Sequence, residues 1–303
     1  MQSKEQGRMN FVTFVNEGIE QIGILHEEQV TPLDKLLKHP NNNMIDLIVN
    51  FKTEWLAQID QQIQAGGIAG IPLANVKLLA PIPFPRRNVI CLGKNYADHA
   101  REIKITKISD TYLPDRPIYF TKMASPAAGH GDVISVSRRV TVQVDYEAEL
   151  AVVIGKDGTN IAPEQAEDHI FGYTIANDLS ARDLQAGHKQ WFKGKSLDGF
   201  CPLGPVLVHK SAIPWPVHLD IQCRVNGELR QNSNTREMIF DIPYIISDLS
   251  RGMTLKAGDI ICTGTPSGVG MGFEPPVFLQ DGDIIECSVE KIGTLINQIV
   301  FIE

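Results

Sequence analysis

Apolar and polar residues alternate along much of this chain, most regularly in the run VTVQVDYEAELAVVI that ends at Ile154. Successive side chains of a strand point to opposite faces. Val144, Tyr146, Ala148, Leu150, Val152 and Ile154 therefore form one core-facing row, and Asp145, Glu147 and Glu149 line the other face. A strand this apolar belongs in a sheet interior, where unpaired carboxylates are costly and like charges two residues apart repel. Something positive must face those acids. A divalent cation is one answer, since Mg2+ or Mn2+ is held by a few carboxylates with water and substrate. A sheet face open to water, with its acids solvated, is the other.

Upstream, Phe11–Val15 and Ile19–Leu25 are short β-rich runs around Asn16-Glu17-Gly18, which predicts a hairpin. Thr31-Pro32-Leu33-Asp34 reads as a helix start, with a capping hydroxyl and proline at the first helical position. From Met44 to Ile63 the residues Ile45, Ile48, Val49, Trp55, Leu56, Ile59 and Ile63 fit one broad helical face, ended by Gly66-Gly67. Pro81, Pro83 and Pro85 then form a stiff connector that excludes helix. This divides the chain into a small N-terminal α/β domain, residues 1–80, and a larger one, residues 81–303.

Beyond the connector, short apolar runs are punctuated by glycine. Leu255-Lys-Ala-Gly-Asp-Ile-Ile261 is echoed by Leu279-Gln-Asp-Gly-Asp-Ile-Ile285 and, more briefly, by Gly131-Asp-Val-Ile134. Each Gly-Asp predicts a turn that launches a strand, with the aspartate a turn former rather than a ligand. The echo is too short for a solenoid or propeller. The expected class is α+β: a mixed, antiparallel-rich β-roll or barrel with a few helices around it.

The formal charge of -8 over 303 residues and a pI near 5.5, with no basic run, argue against a nucleic-acid or anionic-membrane partner. MQSKEQGRMN has no apolar leader core, and no stretch approaches the roughly 18 apolar residues of a membrane span. Cys91, Cys201, Cys223, Cys262 and Cys287 are odd in number and lack C-x-x-C spacing. They read as buried, reduced thiols of a cytoplasmic protein.

Four further segments carry candidate chemistry. Gly172–Asp178 is a strand ending in a polar pair, so Asp178 sits where side chains leave a sheet and converge on a ligand; a turn role is the alternative. Ser180-Ala-Arg-Asp183 resembles a capping box opening a helix on which Arg182 and Gln185 share a face, either for a substrate carboxylate or simply solvated. Lys195, in Gly194-Lys195-Ser196, is no phosphate-loop lysine because Lys189 stands where the loop glycine is needed; it can neutralise carboxylates or a developing enolate. Thr263-Gly-Thr-Pro-Ser-Gly-Val-Gly270 is a turn able to cradle an anion, or purely structural. In Gly93–Ile103, His99 and Glu102 face each other if helical, as a water-activating pair or a surface ion pair. Lys104 to Pro117 is polar and reads as a closing lid.

The runs GKNYADHAREI, DYEAELAVVIG, GYTIANDLSARDLQ, GKSLDGFCPLGP, NGELRQ and TGTPSGVG, in that order, resemble the fumarylacetoacetate hydrolase family over residues 80–303. The resemblance implies a divalent ion, Mg2+ or Mn2+, held by Glu147, Glu149 and Asp178, with Lys195 beside it. It implies His99 and Glu102 as the catalytic dyad, and Arg182, Gln185 and Thr265 around the substrate, with Asp145 structural. It is nearest to the smaller members acting on 2-oxo acids, including acylpyruvate hydrolases and oxaloacetate decarboxylases. True fumarylacetoacetase has a larger N-terminal domain and a further upstream aspartate ligand that finds no match here.

The implied activity is hydrolysis of a C–C bond in a 2-oxo or 2,4-dioxo acid, with the cation stabilising the enolate left behind. Oxaloacetate decarboxylation and hydroxymuconate-type isomerisation or decarboxylation are alternatives on the same site. A non-catalytic 2-oxo acid sensor or scaffold is a different class, distinguished by turnover. The implied partners are a small-molecule substrate and a second copy of the chain in a homodimer.

Overall fold

The computed structural model describes residues 9–38, 42–102 and 113–303. Strand Ala148–Ile154 is buried at every position because each of its faces meets a different layer. Leu150, Val152 and Ile154 pack with Ile221, Cys223, Ile285 and Leu295 of a five-stranded sheet. Ala151 and Val153 pack the other way, with Phe171, Leu207, Leu47 and Ile59. The whole expected row from Val144 to Ile154 does lie in one core. The ribbon itself is interrupted: Val144–Asp145 pairs with Ser180–Ala181, and Tyr146 and Glu147 separate it from Ala148–Ile154.

The main sheet runs, in spatial order, Ile71–Pro72, Gln29–Pro32, Ile19–His26, Asn10–Asn16, Leu203–His209, Ile170–Asn177, Ala148–Ile154, Ile260–Cys262, Val89–Gly93 and Ile118–Lys122. Lys77–Leu78 adds to it against Asn10–Asn16. The architecture is α+β, with mixed sheets and few helices, but the barrel alternative gives way to an open sheet. Its ends do not pair among the described residues, and the two-residue end strand closes on Pro72, which has no N–H to extend a ladder. The change of character near residue 80 is not a break in the sheet. Asn10 and Phe11 pair with Val208 and Leu207, so the N-terminal strands continue the larger unit.

The hairpin forms as expected, turning at Glu17 and Gly18, both with positive φ. Two helix readings need correction. Thr31 and Pro32 end strand Gln29–Pro32, and Pro32 is only the cap of the short helix Leu33–Leu36, with no side-chain cap bond. The single face from Met44 to Ile63 is two helices, Met44–Asn50 and Glu54–Gln64. The break turns Phe51 into an aromatic cluster with Phe11, Trp55, Phe171 and His209, a tertiary gain that periodicity does not encode.

The echoed Gly-Asp pairs are one device used three times. Asp132, Asp259 and Asp283 each accept from the backbone N–H three residues earlier, of Gly129, Lys256 and Gln280. Gly131, Gly258 and Gly282 supply the positive φ before each aspartate. All five cysteines are buried and free, and no helix among the described residues is long and apolar enough to cross a membrane.

His209 ties the N-terminal segment to the main sheet, through the ring contacts above and through its N–H to the Met9 carbonyl. Burial, with Lys210 nearby, lowers its pKa to about 4. The unfolded chain therefore takes up a proton below about pH 6.5 that the folded chain refuses until about pH 4, so this stability is present above the first value and lost towards the second. In His209→Asn the slope of unfolding free energy against pH over that window is expected to fall by up to about 1.4 kcal/mol per pH unit. Urea titrations across the window check it; equal slopes exclude His209 as the source.

Candidate active site

The antiparallel ladder brings the acids together. Ala148 pairs with Asn177, so Glu147 and Asp178 lie just beyond the matched ends of the two strands, and the Asp178 N–H donates to the Glu147 carbonyl at 2.9 Å. Glu149 lies two residues along on the same side as Glu147. One carboxylate oxygen from each of Glu147, Glu149 and Asp178 falls within 4.8 Å of the others, and all three residues are buried. Asp178 is thus no simple turn former.

Buried cations face this cluster. Lys195 Nζ donates to Glu147 Oε2 at 2.8 Å and to Asp178 Oδ2 at 2.9 Å. Arg182 pairs with Glu147 Oε1 at 2.7 Å through Nη1 and with Asp145 Oδ2 at 2.8 Å through Nε. Lys122, which the sequence reading passed over, donates to Asp178 and to the Leu179 carbonyl. Burial alone would raise the Glu147 pKa, but Lys195, Arg182 and His99 outweigh it and hold that carboxyl below the usual range. Burial works against the Lys195 ammonium, yet Asp178 and Glu147 raise its pKa. Glu149 makes no ion pair among the described residues, and Lys195 offsets its burial only in part. Burial, reinforced by Asp178 and Glu147, pushes it well above the ordinary carboxylate range. Its Oε2 accepts from Gly264 N–H at 2.7 Å, while the buried Oε1 has no hydrogen-bond partner.

That orphaned oxygen is the test of whether a metal fits. Three hard oxygen donors, one of them unsatisfied and two neutralised from behind, suit Mg2+ or Mn2+ and not a thiolate-seeking ion.

Helix Ala97–Glu102 places His99 Nδ1 3.2 Å from Glu102 Oε2, leaving Nε2 as the other ring nitrogen. His99, Glu147, Arg182, Gln185, Lys195 and Thr265 line one small cavity, so five of the six sequence runs converge on it. Phe120, Trp191 and Met271 complete its apolar wall, with Lys94 buried alongside. Arg182 and Gln185 are not a solvated face: both are buried, and Arg182 Nη1 donates to Gln185 Oε1 at 3.0 Å. The expected capping box is absent. Ser180 Oγ donates to the Asp178 carbonyl, and Ala181 caps helix Arg182–Gly187 without a side-chain bond. Thr265 Oγ1 donates to the Ala148 carbonyl and accepts from Gln231. Of the expected lid, residues 104–112 lie outside the described residues.

The glycine-rich turn does cradle anions, and they are the protein's own. Gly264 N–H meets Glu149, Gly268 N–H meets Glu102 at 2.9 Å, and Gly270 and Met271 N–H meet Asp145 at 2.7 and 3.0 Å. Asn95, also missed from sequence, fixes the root of the dyad helix. Its side chain donates to the Thr263 and Phe240 carbonyls and accepts from Phe240 N–H. Lys122 carries no motif signal, and Asn95 lies within the run GKNYADHAREI without its role being marked there; both roles come from contacts distant in sequence.

A carboxylate triad on adjoining strand ends, backed by buried lysines and faced by a His–Glu pair, defines a metal-site enzyme class. The chain belongs to the fumarylacetoacetate hydrolase family: the model of the fumarylacetoacetate (FAA) hydrolase C-terminal domain matches residues 88–300. It is 59% identical over 227 residues to oxaloacetate tautomerase YisK of Bacillus subtilis, covering 75% of this chain and 74% of that one. It is 48% identical over 229 residues to a mitochondrial oxaloacetate tautomerase of Xenopus laevis, covering 75% and 69%. Among solved structures, a fumarylacetoacetate hydrolase from Exiguobacterium antarcticum superposes with TM-score 0.83 at 42% identity, covering 97% of this chain and all (100%) of that one. A maleylpyruvate hydrolase from Sphingobium, in complex with manganese and pyruvate, gives 0.79 at 31%, with coverage of 97% and 100%.

Two outcomes follow from the geometry. Glu149→Gln is expected to weaken Mn2+ binding at least about tenfold by calorimetry, the lower end for a damaged metal shell; an unchanged isotherm removes Glu149 from the ligand set. Lys122→Met strips a fully buried partner from Asp178 and is expected to cost roughly 3 kcal/mol in urea unfolding, the low end for a broken buried pair because Lys195 remains.

Proposed function

We propose that this chain is a divalent-metal-dependent enzyme of small 2-oxo acids, and that its reaction is keto–enol tautomerisation of oxaloacetate. The observation that carries the reading is the buried triad Glu147, Glu149 and Asp178, one member of which, Glu147, lines the same small cavity as His99. The names of its tautomerase relatives support the choice of substrate. When bound, the cation supplies Lewis-acid polarisation of the 2-oxo group and its neighbouring carboxylate.

The chain's own residues do the rest. Glu147, Glu149 and Asp178 hold the cation, and Lys195 and Lys122 set the charge behind them. A divalent ion held there would add positive charge to a cavity that Arg182 and Lys195 already line, which suits a dicarboxylate. Arg182, Gln185 and Thr265 shape the cavity wall against the substrate. His99 Nε2 exchanges a proton with C3, while Glu102 on Nδ1 fixes the tautomer and steadies the imidazolium. In ketonisation the enol hydroxyl releases its proton to solvent, C3 gains one from Nε2, and water reprotonates the ring. The buried free thiols fit a reducing cytoplasm, and a homodimer belongs to the same proposal.

C–C hydrolysis of an acylpyruvate is the second reading. The intact His99–Glu102 pair favours it, since the same Nε2 can take a proton from water, and a maleylpyruvate hydrolase shares the fold.

The test is a panel on the Mn2+- or Mg2+-loaded protein. Loss of enol absorbance from oxaloacetate, release of CO2, and cleavage of acetylpyruvate and fumarylpyruvate are followed side by side. Accelerated ketonisation, abolished by chelator and reduced roughly 10²–10⁴-fold in His99→Ala, is the expected result. Cleavage or CO2 release without accelerated ketonisation replaces it with the hydrolase or decarboxylase reading. No turnover on any substrate, with metal bound, leaves a 2-oxo acid sensor.

A further inference from the structure

Glu102 does not find its place from its own helix alone. Its two carboxylate oxygens accept from one backbone donor in the glycine-rich turn, Gly268 N–H, at 2.9 and 3.2 Å, and Oε2 also meets His99. What makes room for this arrangement is Gly272. A Cβ added there would lie 2.1 Å from Glu102 Oε1, 2.2 Å from Cδ and 2.3 Å from Cγ, and these are its three nearest atoms. The neighbouring glycines differ. A Cβ at Gly268 would strike the Arg230 carbonyl oxygen at 1.9 Å from a left-handed φ of +102°, and one at Gly270 would strike the Val277 carbonyl oxygen at 2.2 Å. Those two serve the backbone. Gly272, in the 3-10 turn Gly270–Gly272 and outside the left-handed region, has backbone that alanine adopts without strain.

We propose that Gly272 is a positioning residue. Its missing side chain is the seat in which the Glu102 carboxylate rests on Gly268 N–H and faces His99. The seat is rigid for its own reason: Val269 and Met271 form a separate small core with Phe278, and Met271 also lines the substrate cavity. One loop therefore holds the dyad's carboxylate and the wall of the substrate space in register. The inference rests on the reading that the His99–Glu102 pair moves the proton, and it adds the element that fixes that pair.

The three atoms nearest a methyl group at position 272 all belong to the Glu102 side chain, from Cγ outward, so Glu102 swings away while the fold stays. Gly272→Ala is expected to keep the thermal midpoint and the Mn2+ isotherm close to wild type. Its kcat falls by the same factor as in Glu102→Ala, with KM little changed. Combining the two substitutions brings no further loss, because the second removes a contact already gone. Glu102→Asp in the Gly272→Ala background, one methylene shorter, restores part of the rate.

A readout independent of turnover is the Gly268 amide proton, whose charge-assisted hydrogen bond places it downfield. It is expected to move upfield alike in Gly272→Ala and Glu102→Ala. An unmoved Gly268 amide in Gly272→Ala overturns the proposal, as does a rate loss that multiplies in the double variant. If the amide moves but Gly272→Ala and Glu102→Ala both turn over at the wild-type rate, the seat stands and the dyad's proton role fails instead.

Discussion

Seven ionisable side chains share one buried volume in this protein, and much of the fold is arranged so that they can. Asp145, Glu147, Glu149 and Asp178 face Lys122, Arg182 and Lys195, all of them buried. Charges withdrawn from water are tolerated only when paired and hydrogen-bonded. Every cation here touches a carboxylate, while among the described residues one oxygen of Glu149, like Arg182 Nη2, has no hydrogen-bond partner. That imbalance is the physical core of the functional reading. A site built for stability alone would close the last pair or replace it with apolar groups; one built to bind a cation leaves it open.

The glycine-rich turn after strand Ile260–Cys262 is the second organiser. Its backbone N–H groups reach Glu149 at the candidate metal site, Glu102 in the dyad and Asp145 beneath Arg182. Backbone donors are fixed by the chain path rather than by rotamers, so carboxylates held this way lose little orientation to thermal motion. Asn95 joins the same loop to the root of helix Ala97–Glu102 through the Thr263 carbonyl. One candidate metal ligand, Glu149, and the carboxylate that faces His99 are therefore positioned by one loop.

The N-terminal segment lies outside the family match, yet it continues the main sheet and covers its far face with three helices. Ala151 and Val153 are buried by that layer. The strand carrying Glu149 is thus clamped between two cores, which keeps the acidic end rigid where unpaired charge would otherwise loosen it.

From the sequence alone the α+β class, the hairpin, the apolar row of the central strand and the three Gly-Asp turns were legible, because each is written in local periodicity or turn chemistry. The sequence also named candidate site residues that the structure brings together, though His99, Glu102 and Lys195 owe their named roles to a family resemblance more than to spacing. Local pattern failed where a distant contact outweighed it. Phe51 breaks a helical face to reach Phe11 and Phe171, and Ser180 gives up a cap to bond the Asp178 carbonyl. Lys122 and Asn95 act through partners far away in sequence, and nothing local to either residue names those partners. The anions held by the glycine turn were the hardest to foresee. Its exposed N–H groups announce a cradle, but only the tertiary structure brings Glu102, Glu149 and Asp145 to it, since electrostatics act through space and not along the chain.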